Sequence, residues 1–203
     1  AEYIPLWNKK NTPDYRNAIH YLSGRSVSIL DILKYRIGYC ESGEYAGKIV
    51  IPSYDCTGQL NYFVSRAFYK ADKYKHKNPK IYKDIIGFDL MINWSQPIVL
   101  CEGAFDAIAI KRNAIPLLGK TVQDTLLQKL INKKVSEVII ILDSDARDTM
   151  ILVCEKLMRH NINVSKVLLN DGDPSDVGYE AMLYAIQKKE QVNEYDLIRQ
   201  KII

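Results

Sequence analysis

Two rhythms of apolar and polar residues run along this chain. From residue 98 onward, short apolar runs over 98–101, 114–118, 137–142 and 163–169 read as buried strands. Each is followed by a stretch with helical spacing, over 104–112, 122–132, 146–160 and 176–188. Met150, Ile151, Cys154, Leu157 and Met158 give the third of these helices one apolar face, and Tyr179, Met182, Leu183 and Ile186 do the same for the fourth. Thr121-Val122-Gln123-Asp124 has the form of a capping box opening the second. Repeated strand–helix units of this length predict a mainly parallel sheet covered by helices.

The front of the chain keeps a different time. Tyr15, Ala18, Ile19 and Leu22 follow helical spacing, and Ser28-Ile29-Leu30-Asp31 predicts a capped second helix with Ile29, Ile32 and Leu33 on its apolar face. Ile49-Val50-Ile51-Pro52 and residues 60–68 then read as strands of a hairpin joined through Asp55-Cys56-Thr57-Gly58. The break at Asn93–Pro97 divides the chain into a mixed α+β part, residues 1–94, and an α/β part, residues 95–203.

Composition narrows the class. The chain has 203 residues, 47% of them hydrophobic and 26% charged. No apolar run approaches the ~20 residues of a membrane span, and no signal peptide is visible, so a cytoplasmic protein is expected, in the host cytoplasm if phage-encoded. Usage rich in Lys, Ile and Asn, with 14 tyrosines, points to an A+T-rich coding genome, as in a phage or low-GC bacterium. Cys40, Cys56, Cys101 and Cys154 show no C-x-x-C spacing and the three histidines are scattered, which argues against zinc in this chain. Cys101 and Cys154 are expected to be small core residues.

The net charge of +4 is mild but unevenly spread. Arg66, Lys70, Lys73, Lys75, Lys77, Lys80 and Lys83 crowd one stretch, with Tyr69, Tyr74 and Tyr82 between them. Such a stretch serves either as a solvated loop or as a phosphate-binding surface with aromatic platforms.

Candidate chemistry lies at the strand ends. Glu102 follows the first strand of the second part, Asp143 and Asp145 the third, and Asp171 and Asp173 the fourth. Singly, each cluster is also an ordinary turn or helix-cap sequence. Together they fall where open parallel sheets bind ligands. Converging carboxylates repel unless a cation joins them, and an all-oxygen set suits Mg²⁺ or Mn²⁺. Gly103 lets the chain turn tightly after Glu102, and Asp106, one helical turn on, is expected to face the same pocket.

Glu102-Gly103 after one strand and Asp143-x-Asp145 after another resemble the Toprim domain of primases, topoisomerases and some nucleases. The front half resembles, more narrowly, the catalytic core of DnaG-type primases. Ala18-Ile19-His20-Tyr21-Leu22-Ser23-Gly24-Arg25 is similar to its A-x-x-Y-L-x-x-R opening, and Ile37-Gly38-Tyr39 to the step that follows. Ile51–Gly58, Ser65-Arg66, Lys75-x-x-Asn78-Pro79, Ile86-Gly87-Phe88-Asp89 and Leu118-Gly119-Lys120 match later segments in order. The resemblance spans residues 14–190. It implies a Toprim-type, mainly parallel sheet with flanking helices, preceded by a smaller mixed α+β subdomain that carries the template and nucleotide side.

The implied activity is synthesis of short RNA primers on single-stranded DNA from ribonucleoside triphosphates, by metal-dependent nucleotidyl transfer. Glu102, Asp143 and Asp145 would be catalytic, and with Asp171 and Asp173 would hold the metal. Arg25, Arg66, Lys75, Lys77, Asn78 and Lys120 would contact nucleotide or template, with Gly103 and Asp106 in support. A replicative helicase would be met through regions outside this chain, since neither a zinc ribbon nor a helicase-binding domain is visible in it. Serine within Asp143-Ser144-Asp145, and Lys120 where the family has threonine, depart from the pattern. A Toprim nuclease, or a non-catalytic nucleic-acid or helicase-binding module, is the alternative.

Overall fold

A computed structural model describes residues 2–81, 84–119, 121–141, 147–167, 169, 174, 178–195 and 197, with only the backbone of Arg147. The chain divides into two compact units, Ala1–Tyr82 and Lys83–Ile203. The second unit begins ahead of the break expected at 93–97. Ile86 is the reason: it is buried in the same apolar cluster as Ile98, Leu100 and Ile115. Gly87 beside it approaches β6 (Ala114–Pro116) so closely that a Cβ would meet the Pro116 ring at 2.7 Å.

In the first unit, β1 (Tyr3–Pro5), β2 (Gly38–Cys40), β3 (Lys48–Tyr54) and β4 (Leu60–Ala67) form an antiparallel sheet in that order. The expected hairpin is β3–β4. Asp55 Oδ1 accepts from Thr57 N at 2.8 Å and Gln59 N at 3.0 Å, and Gly58 takes the left-handed φ of +85° that closes the turn. Helix α1 (Pro13–Ser23) starts on Thr12, whose hydroxyl accepts from Tyr15 N at 3.2 Å, and buries Ala18 and Leu22.

Helix α2 (Ile29–Lys34) carries the expected capping box: Ser28 Oγ accepts from Asp31 N at 3.2 Å and Asp31 Oδ2 accepts from Ser28 N at 2.8 Å. Its apolar face differs from expectation. Of the three residues expected on that face only Ile32 is buried, while Ile29 and Leu33 stay 53% and 49% exposed. At six residues the helix makes under two turns, so one apolar residue is turned inward beside the buried Asp31, and the core is completed by Tyr35 and Ile37 just beyond it.

In the second unit a five-stranded sheet runs β6–β5–β7–β8–β9, with β5 (Ile98–Cys101), β7 (Glu137–Ile140), β8 (Asn163–Lys166) and β9 (Glu190–Gln191). All pairings are parallel except β8–β9. Ile98, Leu100, Val138, Ile140 and Val164 share one apolar cluster with Leu126, Leu127 and Leu130 of α4 (Asp124–Asn132) and Cys154 and Leu157 of α5 (Arg147–Met158). Each such fully buried side chain contributes roughly 1.5–3 kcal/mol. Helix α3 (Ala104–Ile110) is buried along its whole length and packs on β6 and on α6 (Tyr179–Gln187). The mainly parallel, helix-covered sheet is the one the strand–helix alternation predicts.

Helix α4 starts later than expected and without the Thr121 capping box. Gln123 is its N-cap and makes no side-chain cap. The donor at its first turn is met from far away, by Asp84 Oδ1 accepting from Thr125 N at 3.0 Å. Cys101 and Cys154 are buried, as expected of core thiols, and burial raises the Cys154 thiol to about 11. Among the described residues no helix is long and apolar enough to cross a membrane.

Candidate functional site

The basic stretch of the first unit is laid along the outer edge of β4. Ala67 N donates to Lys75 O at 2.9 Å, Ser65 N donates to Asn78 Oδ1 at 2.9 Å, and Arg66 and His76 form an antiparallel bridge. The near end of the stretch is anchored on a buried cation. Lys48 Nζ ion-pairs with Asp72 and donates to Tyr74 O at 3.1 Å. Hydrogen bonding from Lys48 is the chief reason the Asp72 carboxyl lies below the usual range.

Tyr21 organises the cations beside this edge. Its position in α1 places it four residues before Arg25, one turn along, and its hydroxyl accepts from Arg25 Nε at 3.0 Å. The same hydroxyl accepts from Arg66 Nε at 3.0 Å, so two guanidiniums from distant parts of the sequence meet on one phenol. Arg25 also lies over the Tyr21 ring, 5.6 Å from its centroid. Arg66 Nη1 bonds His76 Nε2. Desolvation first, and then the charges of Arg66, Arg25 and Lys75, hold the His76 imidazole below the usual histidine range, against the opposing pull of a backbone hydrogen bond at Ser65.

The expected nucleotide and template residues therefore fall into two groups. Arg25 and Arg66 converge, with Lys75 exposed nearby. Lys77 instead reaches Glu44, with Nζ 3.2 Å from both Oε1 and the backbone oxygen, and lies over the Tyr45 ring. The Asn78 side chain is engaged with the β4 backbone. Tyr21 and His76 were not singled out from sequence. The four-residue spacing of Tyr21 and Arg25 was the available signal for the first, and only the β4 pairing reveals the second.

In the second unit, Glu102 follows β5 directly and is partly exposed. Its backbone is fixed from the side: Leu118, in the left-handed region at φ 55°, donates its N–H to Glu102 O at 3.0 Å. Asp106 was expected to face the same pocket as Glu102. It is buried, and its Oδ2 accepts from Gly103 N at 2.8 Å at the start of α3. Gly103 leaves room for this, since a Cβ there would lie 3.1 Å from that oxygen.

Of the strands that precede the remaining acids, β7 ends beside β5 and β8 ends beside β7. Ile141 N donates to Leu100 O at 2.9 Å, and Val167 N to Ile140 O at 3.0 Å. Asp143, Asp145, Asp171, Asp173 and Lys120 lie outside the described residues. Among the described residues no group of three or more His, Cys, Asp or Glu side chains is placed to hold a metal ion. The chemistry of the expected set, all carboxylates, fits a hard divalent cation.

This architecture defines a class of known folds. The chain has the fold of DnaG primase catalytic cores. It superposes on a DnaG catalytic core with a TM-score of 0.75 over 89% of this chain and 75% of that one, at 18% identity. A DnaG catalytic domain bound to single-stranded DNA gives the same score over 89% of this chain and 76% of that one, at 18% identity. The Aquifex aeolicus primase, solved with its zinc-binding and RNA polymerase domains, gives 0.76 over 97% of this chain and 62% of that one, at 19% identity.

In sequence, the chain is 29% identical over 141 residues to the uncharacterized protein MG010 of Mycoplasma genitalium. It is 27% identical over 139 residues to the MG010 homolog of Mycoplasma pneumoniae. Each match covers 64% of this chain, and the chain spans just under two thirds of either relative, 63% and 65%. No family model matches.

Proposed function

We propose that this chain is the catalytic core of a primase, joining ribonucleotides on a single-stranded DNA template by metal-dependent nucleotidyl transfer. The observation that carries the reading is the convergence of Arg25 and Arg66 on Tyr21, in a fold shared with a primase core solved on single-stranded DNA. Two guanidiniums held side by side offer forked donors matched to phosphate oxygens. The exposed lysines of the edge stretch would add sequence-independent attraction for a nucleic-acid backbone.

On this reading Glu102, Asp143, Asp145, Asp171 and Asp173 would hold Mg²⁺ or Mn²⁺. Such an ion lowers the pKa of an attacking hydroxyl and offsets charge on the phosphates during in-line displacement. Glu102 sits on a backbone fixed by Leu118 and so would present its carboxylate from a constant place. Arg25 and Arg66 would bind and orient template or nucleotide phosphates.

The test is primer synthesis on mixed single-stranded templates with labelled ribonucleotides and Mg²⁺. The wild-type chain should extend ribonucleotides into short primers, and Asp143→Ala and Asp145→Ala should each abolish synthesis with an unchanged circular-dichroism melt. Full activity in either variant would overturn the metal assignment. Cleavage of single-stranded DNA without nucleotides, and no synthesis, would make the chain a Toprim nuclease instead.

A further inference from the structure

We infer that His76 is a positioning residue for Arg66, holding its guanidinium toward a nucleic-acid phosphate by accepting a hydrogen bond as a neutral imidazole. The inference rests on the template-side reading of the Arg25–Arg66 cluster given above.

The geometry leads there in three steps. Arg66 lies on β4 and His76 opposite it on the edge stretch, paired as antiparallel neighbours, so their side chains leave the same face. A guanidinium has five N–H donors and no acceptor. The contact between Arg66 Nη1 and His76 Nε2 therefore needs a lone pair on Nε2, which places the ring proton on Nδ1. Arg66 is then held at two points, by Tyr21 Oη on Nε and by His76 Nε2 on Nη1.

Both of these acceptors are uncharged. A carboxylate in either place would fix the guanidinium equally well but would cancel its charge. Neutral acceptors orient the fork and leave its charge for a phosphate. The charged and titratable groups facing His76 are Arg66, Arg25 and Lys75, all cationic, and they favour the neutral ring. Protonation would remove the acceptor and set a second cation against the guanidinium.

Three substitutions separate positioning from charge. His76→Gln keeps an acceptor oxygen, His76→Ala removes it, and His76→Lys replaces it with a donor that adds positive charge. The probe is a fluorescein-labelled oligodeoxythymidine, titrated at neutral pH and followed by anisotropy, with Arg66→Ala alongside. Loss of one hydrogen bond to a charged group predicts Kd about five-fold weaker for His76→Ala, recovered to within about two-fold by His76→Gln. His76→Lys should also bind more weakly than wild type, despite its charge.

A His76→Lys variant that binds as tightly as wild type, or more tightly, overturns the inference. So does a His76→Gln variant as weak as His76→Ala. The ¹⁵N shifts of His76 in the wild-type chain give a second readout independent of binding and of how the variants fold. The Nδ1–H tautomer is expected at neutral pH, and an Nε2–H tautomer overturns the inference. If Arg66→Ala binds the oligomer as wild type does, the template-side reading of this surface falls, while the tautomer still decides the His76–Arg66 contact.

Discussion

Arg25 and Arg66 share a single acceptor: each donates from Nε to the Tyr21 hydroxyl at 3.0 Å. Two cations held this way repel each other, and a buried or half-buried pair persists where other interactions outweigh that cost. The phenol oxygen offsets part of it. A phosphate diester bridging the two forks would offset more, which makes Tyr21 a hinge of the binding proposal. Tyr21→Phe removes the acceptor and keeps the ring under Arg25. Single-stranded DNA affinity should fall about five-fold, on the scale of about 1 kcal/mol for one partly exposed charge-assisted bond. Fluorescence anisotropy checks it, and an unchanged affinity would show that the phenol oxygen does not organise the cluster.

Asp106 and Glu102 can be told apart by what each variant loses. Its carboxylate accepts from Gly103 N at 2.8 Å at the mouth of a helix buried along its whole length. Asp106→Ala should therefore destabilise the chain by about 1–2 kcal/mol, the usual worth of an N-terminal cap. Urea denaturation measures this. Glu102→Gln, by contrast, should leave the urea midpoint within error and remove primer synthesis. If Asp106→Ala is as stable as wild type yet inactive, the roles assigned to the two acids are reversed.

The part of this division that was legible in sequence has a common physical basis. Strands β5 and β7 are buried apolar runs between helical stretches, so the parallel sheet and the place of Glu102 at the carboxyl end of its inner strand β5 follow from local pattern. The Ser28–Asp31 box and the Asp55–Gly58 turn are likewise made by neighbours in sequence. What pattern missed was made by residues far apart. Asp84 caps α4 from across the unit, and His76 meets Arg66 only because the edge stretch pairs with β4. Strands β1 and β2, three residues each, are too short to show a period. Asp106 stands four residues after Glu102, the spacing read as facing one pocket, and three after Gly103, the spacing that lets its carboxylate accept from the Gly103 amide.

Among the described residues, Asp89 and Lys129 form the most deeply placed ion pair of the second unit, with side chains 5% and 21% exposed. Lys129 Nζ lies 2.8 and 2.6 Å from the two carboxylate oxygens and 5.0 Å from the Trp94 ring centroid. Removing the acid leaves an ammonium with its main partner gone. Asp89→Ala should cost about 3 kcal/mol, and the double variant Asp89→Ala, Lys129→Met should recover part of it, since an unmatched buried charge is worse than none. Equal midpoints for the single and double variants in urea would show that the cost lies in packing around Asp89 and not in the abandoned charge.

The acid side of the stability profile should show two separate steps in the first unit, because His76 and the carboxylates Glu41, Asp55 and Asp72 are all shifted down from different starting points. His76 lies below the usual histidine value of about 6.5. Its neutral form favours the fold above that value, and this contribution is lost as pH falls from about 6.5 toward the folded pKa, where the unfolded chain alone takes up the proton. Asp72, held down by Lys48, contributes above the ordinary aspartate value of about 3.9 and loses that contribution as pH falls through its lower folded pKa. Melting temperature should therefore drop as pH falls below about 6.5 and again below about pH 4. His76→Gln should flatten the first step and leave the second, whereas Asp72→Asn should lower the whole curve at neutral pH and shrink the second, to which Glu41 and Asp55 also contribute. A first step of undiminished size in His76→Gln would assign it to another group and remove the neutral imidazole from the account of Arg66.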